Sequence, residues 1–187
     1  MSCDELSDDA LLARVAKGDE RACRLVVERH LGRVLALARR MLGNAAEAED
    51  VAQDAFLALW RHAHRWRRGE AQLSTWLYKV ASNRCLDRLR RRPQVGLDEA
   101  PEPVTDGEAE REVHRQDVAR EIEAALMALP ERQRLAVGLC HYQELGNIEA
   151  AEMMQVSVEA FESLLARGRR ALRVRLADRV SELLGEP

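Results

Sequence analysis

Apolar residues recur at helical spacing through most of the chain, and no stretch shows the period-two alternation of a half-buried strand. Ser7-Asp8-Asp9-Ala10 offers a cap to a first helix whose apolar face is Leu11, Leu12 and Val15, and Gly18-Asp19 breaks it. A second helix is predicted over Glu20–Leu42, on Leu25, Val26, Leu31, Val34, Leu35, Ala38, Met41 and Leu42. Gly43-Asn44 is its expected stop, because a residue there readily takes positive φ. A third helix, Ala46 to His64, is lined by Val51, Ala52, Ala55, Phe56, Leu59 and Trp60. It gathers Glu47, Glu49, Asp50 and Asp54 in its first half, where the helix dipole favours negative charge. After an Arg-rich loop from Arg65 to Gln72, Ser74 is the expected N-cap of a fourth helix that reaches Arg91 and stops before Pro93.

The pattern then lapses. From Gln94 to about Glu110 the chain sets Gly96, Pro101, Pro103 and Gly107 among many acids, with too little apolar surface to order itself, which predicts a flexible linker. Helical period resumes with Val118, Ile122, Ala125, Leu126 and Leu129, closed by Pro130, and continues over Glu131–Gln143. Two further helices, Asn147–Met154 and Val158 to about Leu183, flank a turn at Gln155-Val156-Ser157. The expected fold is all-α: two small helical domains, 1–93 and 113–187, joined by a flexible acidic linker at 94–112, with a helix-turn-helix in the second domain.

Composition supports this and narrows the function. Of 187 residues, 47% are hydrophobic, enough for two cores, while aromatics at 4% and the scarcity of Val and Ile beside Ala, Leu, Arg and Glu favour helix over strand. No apolar run approaches the roughly 20 residues of a membrane helix. The acidic start, MSCDELSDDA, does not read as a signal peptide, so a cytoplasmic protein with no membrane insertion is expected. Cys3, Cys23, Cys85 and Cys140 form no C-x-x-C pair and read as free thiols. Cys140-His141 has no second ligand cluster to make a zinc site with, so neither metal nor cofactor is expected. A net charge of −3 decides nothing, but its distribution does. Arg61–Arg92 holds 10 Lys/Arg against 2 acids, Asp98–Glu123 holds 10 acids against 3 arginines, and Glu159–Arg179 holds 6 arginines against 3 acids. Two basic segments separated by an acidic one predict two polyanion-binding modules.

Three segments carry candidate chemistry. In Asn147–Arg170 the small residue Ala151 lets two helices cross closely, and Ser157 caps a second helix whose Phe161, Leu164 and Leu165 face inward. Presented to a DNA groove, that helix would expose Glu159, Ala160, Glu162, Ser163, Arg167, Arg169 and Arg170. Gln155 occupies the turn position usually given to Gly, and at positive φ it costs about 1 kcal/mol. In the fourth helix Arg84, Arg88 and Arg91 form a stripe at i, i+4, i+7, with Lys79, Asn83 and Arg90 beside it, suited to phosphates. Trp66 and Trp76 lie next to that stripe, as stacking platforms for unpaired bases or as core residues. The third segment, Ala48 to Trp60, sets acids and an amide among apolar positions, as a protein-binding helix or an ordinary amphipathic one.

Taken together, these segments resemble the extracytoplasmic-function group of sigma-70-type RNA polymerase sigma factors. Glu49–Phe56 is similar to that family's polymerase-binding helix, Ser74–Arg91 to its promoter-melting helix, and Leu129–Arg134 to the start of its C-terminal domain. The resemblance spans nearly the whole chain and implies a transcription initiation factor with no catalytic residues. Domain 1–93 would bind core polymerase and read the −10 element, and 113–187 would read the −35 element. Asp50, Gln53, Asp54, Phe56 and Trp60 would meet the β′ clamp helices, with the β flap as a further polymerase contact. Trp66, Arg67, Arg68, Trp76, Lys79, Asn83, Arg84, Arg88 and Arg91 would engage the −10 element, the loop holding a flipped base. Ser157, Glu159, Ala160, Glu162, Ser163, Arg167, Arg169 and Arg170 would face the −35 element. An anti-sigma factor, membrane-linked or soluble, is implied as a further partner.

Departures from the family pattern fall in the recognition helix. Glu162 stands where a basic residue is common, Leu165 where arginine is frequent, and the loop Gln143–Asn147 lacks the usual aromatic. Rival readings fit less of the chain. A stand-alone helix-turn-helix repressor leaves the first basic stripe unused. An enzyme lacks a phosphate loop, a nucleophile with its base, and a metal cluster. A relative that keeps the fold without initiating transcription would account for the altered recognition helix.

Overall fold

The computed structural model describes residues 6–67, 69, 72–91 and 110–177. Among them every regular element is helical, and the chain divides into two units between Arg91 and Arg92. Residues 94–109 of the expected linker, Arg68, and the residues beyond 177 lie outside the described residues, while residues 110–112, expected as the end of the linker, already belong to a helix.

The first unit holds α1 (Asp8–Val15), α2 (Glu20–Leu42), α3 (Ala45–His62), a 3-10 turn (Ala63–Arg65) and α4 (Leu73–Arg91). Caps set the boundaries. Ser7 accepts the Ala10 N–H, Asp19 accepts those of Arg21 and Ala22, and Asn44 accepts that of Glu47. Gly43, at φ 64°, ends α2 in the left-handed region that a Cβ would penalise. The last turn predicted for α3 tightens instead into the 3-10 turn. Ser74 is not the cap of α4: the helix begins at Leu73, whose side chain is buried, so Ser74 sits inside the first turn.

α2, α3 and α4 pack around Val26, Val34, Leu37, Met41, Val51, Leu59, Leu77 and Ala81, all at most 1% exposed. Each large apolar side chain buried this completely contributes about 1.5–3 kcal/mol. Cys85 lies in the same core, and burial pushes its thiol up to about 12. α1 is held by its N-terminal acids. Asp8 accepts from Arg29 at 3.2 Å and pairs with His30 Nε2 at 3.0 Å on α2, while Asp9 accepts from the Trp66 indole at 2.9 Å.

The second unit comprises α5 (Glu110–Met127), α6 (Glu131–His141), α7 (Asn147–Met154) and α8 (Val158–Arg175). α6 stops two residues before the predicted Gln143, as Gln143 and Leu145 turn their N–H groups back to Gly138 and Leu139. Leu126, Leu129, Leu135, Leu139, Ala151 and Phe161 form the core. Arg134, buried, donates to the Met127 carbonyl at 2.8 Å and the Leu129 carbonyl at 3.1 Å, satisfying the orphan acceptors at the end of α5. Gly168 allows α8 onto α6: a Cβ there would lie 2.9 Å from Val137 Cγ2 and 3.3 Å from the Gln133 carbonyl.

Candidate nucleic-acid interface

In the first unit, α3 exposes Asp50, Gln53 and, partly, Asp54. Phe56, expected on this surface, is only 6% exposed. Its ring lies 6.0 Å from that of the half-buried Trp60, and both line an open groove of about 430 Å³ between α2 and α3. Val27, Leu31 and Leu35 of α2 and Leu57 of α3 complete its apolar wall, with Glu49 and Gln53 on the rim. Sequence reasoning gave the α3 side and missed the α2 side. The available signal was Leu57, a large apolar residue outside the apolar face expected of the third helix; in the structure it is 41% exposed, and Leu31 across the groove 38%.

On α4, Trp76, Lys79 and Asn83 follow one strip at i, i+3, i+7. Lys79, Asn83, Arg84 and Arg91 are exposed, as is Arg67 in the preceding loop. Arg88 does not join them freely: its guanidinium lies 3.3 Å from Asp50 and 3.9 Å from Asp54 on α3. Arg90 pairs with Asp87. The two tryptophans meet. Trp66 packs edge-on against Trp76, centroids 6.3 Å apart, and His62 stacks on Trp76 at 5.4 Å with planes 17° apart. Both indoles are half-buried, so each serves packing and still presents an edge. His62, in the last turn of α3, completes the cluster.

In the second unit α7 and α8 form the helix-turn-helix. Ala150 and Ala151 are buried at the crossing, Gln155 takes φ 54°, and Ser157 caps α8 by accepting from Ala160 N. Glu159, Ala160, Glu162, Ser163, Arg167, Arg169 and Arg170 are all exposed. Its own backbone N–H, then the Ser157 hydroxyl, hold the Glu159 carboxyl below its usual range. Phe161 and Leu165 face inward as expected, 0% and 4% exposed, while Leu164 is only half-buried. Two polar contacts were not legible in the sequence. Asn147 Nδ2 donates to Glu162 at 3.0 Å, and Arg169 Nε donates to His141 Nε2 at 3.0 Å.

Residues 26–94 match the family model for Sigma-70 region 2, and residues 119–172 that for Sigma-70 region 4. The chain is 31% identical over 179 residues to the ECF RNA polymerase sigma factor SigW of Bacillus subtilis strain 168, covering 89% of this chain and 95% of that one. The chain belongs to the ECF RNA polymerase sigma factors. It is a transcription initiation factor that directs core RNA polymerase to promoters. Among solved structures it resembles CnrH, determined in complex with the cytosolic domain of CnrY, with TM-score 0.69 and 25% identity over 91% of this chain and 97% of that one. The fold is also that of the sigma factor RpoE of Bartonella quintana, solved with the anti-sigma factor NepR: TM-score 0.67, 21% identity, 82% and 96% covered. No helix among the described residues of this ECF sigma factor is long and apolar enough to cross a membrane.

Proposed function

We propose that the ECF sigma factor divides its work between residues 1–93 and 113–187, with 94–112 as the link. The α2–α3 groove, with Asp50, Gln53, Asp54, Phe56 and Trp60, receives the β′ clamp helices of core polymerase: an apolar trough with an acidic rim fits a helical partner that brings basic residues. The second unit meets the β flap. Trp76, Lys79 and Asn83, with Arg84, Arg91 and the loop residues Trp66, Arg67 and Arg68, engage the −10 element. The observation that carries this reading is the aromatic pair set beside an exposed Lys/Asn/Arg strip on one helix, which offers stacking surfaces for unpaired bases and cations for phosphates. α8 lies in the major groove of the −35 element, and Arg167, Arg169 and Arg170 hold phosphates.

The protein acts in the cytoplasm and carries out no catalysis of its own. By analogy with RpoE of Bartonella quintana, solved with the anti-sigma factor NepR, an anti-sigma factor holds it inactive. Run-off transcription with purified core polymerase over a promoter panel tests the assignment. Transcripts should depend on the protein, and Asn83→Ala/Arg84→Ala should lose them while still binding core. Absence of core binding by the wild-type chain would return a stand-alone repressor to first place.

A further inference from the structure

The first half of α8 is chemically one-sided. From Val158 to Ala166 it carries no basic residue, and its polar side chains are Glu159, Glu162 and Ser163. In a helix-turn-helix this is the half whose side chains reach base edges. Carboxylates only accept hydrogen bonds. In the major groove guanine offers acceptors at N7 and O6 and thymine an acceptor at O4, whereas donors come only from cytosine N4 and adenine N6. Guanine, the usual target of an arginine fork, therefore has no strong partner on this half of the helix, and a base placed against the acids must present an amino group.

The two acids differ. Glu159 turns back to its own backbone N–H and to Ser157 at the cap, which engages its carboxylate locally. Glu162 is exposed and takes one hydrogen bond from Asn147 Nδ2, at 3.0 Å. A carboxylate has about four acceptor positions, so this contact fixes the side chain and leaves others for a base. Arg167 and Arg170, further along α8, supply the phosphate attraction that the acids subtract.

Resting on the reading of α8 as the −35 helix, we propose that Glu162, positioned by Asn147, selects a cytosine in the −35 element through its N4 amino group. The acid at this position is thus a specificity determinant rather than a lost phosphate contact. Asn147 is a positioning residue, acting only through Glu162.

The test is selection of promoter DNA randomised across the −35 element, using holoenzyme assembled from core polymerase and the wild-type chain or its variants. Wild type should prefer cytosine at one position, on the order of tenfold over other bases. Glu162→Gln, a near-isosteric change on the surface, should move that position to adenine, because an amide pairs with N6 and N7. Asn147→Ala should shrink the cytosine preference without moving it. Arg167→Ala should lower affinity across all sequences and leave the preference intact. If Glu162→Gln leaves every position unchanged while Arg167→Ala weakens binding, the cytosine assignment is wrong and the −35 role of α8 stands. If wild-type holoenzyme enriches no sequence in this window, both fall together.

Discussion

Arg88 on α4 reaches across to α3 and places its guanidinium 3.3 Å from Asp50. The sequence assigns one to a DNA surface and the other to a protein surface, and the fold makes them partners, with Asp54 as a weaker third at 3.9 Å. Asp50 is 61% exposed, so solvent screens the pair, and its contribution to folding is at most about 1 kcal/mol. What it changes is charge: part of Arg88 is already neutralised.

Arg88→Ala should therefore weaken promoter binding by holoenzyme less than Arg84→Ala does. In a salt titration, Arg84→Ala should lower the slope of log affinity against log salt by about one, and Arg88→Ala by clearly less. Equal losses of slope would show that Arg88 leaves Asp50 when DNA binds.

Gln155 at φ 54° bears a backbone penalty that Gly avoids. Gln155→Gly should raise unfolding free energy by about 1 kcal/mol in urea titration, with −35 preference unchanged. A loss of stability would mean that the Gln side chain makes a compensating contact.

Gly168 poses the opposite case. Ala in mid-helix gains about 1 kcal/mol in propensity, but its Cβ would meet Val137 Cγ2 at 2.9 Å and the Gln133 carbonyl at 3.3 Å. Overpacking costs about 1–3 kcal/mol, so Gly168→Ala should be destabilising by about 1 kcal/mol net. Gly168→Ala/Val137→Ala should behave better than the sum of its parts, because the two changes share one contact.

Asp8 gives the first unit an acid-sensitive latch. The His30 hydrogen bond, then that residue's charge and the Arg29 contacts, outweigh burial and hold the Asp8 carboxyl below its usual 3.8. A lowered folded-state value means stability that is complete above the unfolded value and lost as pH falls through the folded one. The difference in denaturation midpoint between wild type and Asp8→Asn should therefore shrink as pH drops below about 4. A gap that stays constant down to pH 3 would remove Asp8 from the acid response.

Much of the helical layout follows from local chemistry. Ser7, Asp19 and Asn44 are capping residues that cap, Gly43 takes the left-handed turn, and the apolar spacing of α2 returns its observed bounds. Misreadings arise where a local cue competes with a distant one. Ser74 is a good cap by type, but the helix starts two residues earlier than that cap would place it, at the buried Leu73. Leu164 is set inward by its spacing beside Phe161 and Leu165, yet it stays half-buried while those two enter the core. The α2 wall of the groove, the Arg88–Asp50 pair and the Asn147–Glu162 bond depend on which elements become neighbours. Helical period reports which face is apolar, not what that face meets.

The chain's three tryptophans all lie in the first unit: Trp60 on the groove, Trp66 and Trp76 in the cluster with His62. Indole emission therefore reports on one half of the molecule alone. Trp60 brightens or dims with whatever fills the groove. Trp66 and Trp76, coupled to each other and to an imidazole, respond when the cluster opens. Single Trp→Phe replacements separate the two signals without any attached dye. Events on α8 remain dark in the same experiment, so any change in the protein's own indole emission marks engagement by the first unit and by nothing else in the chain.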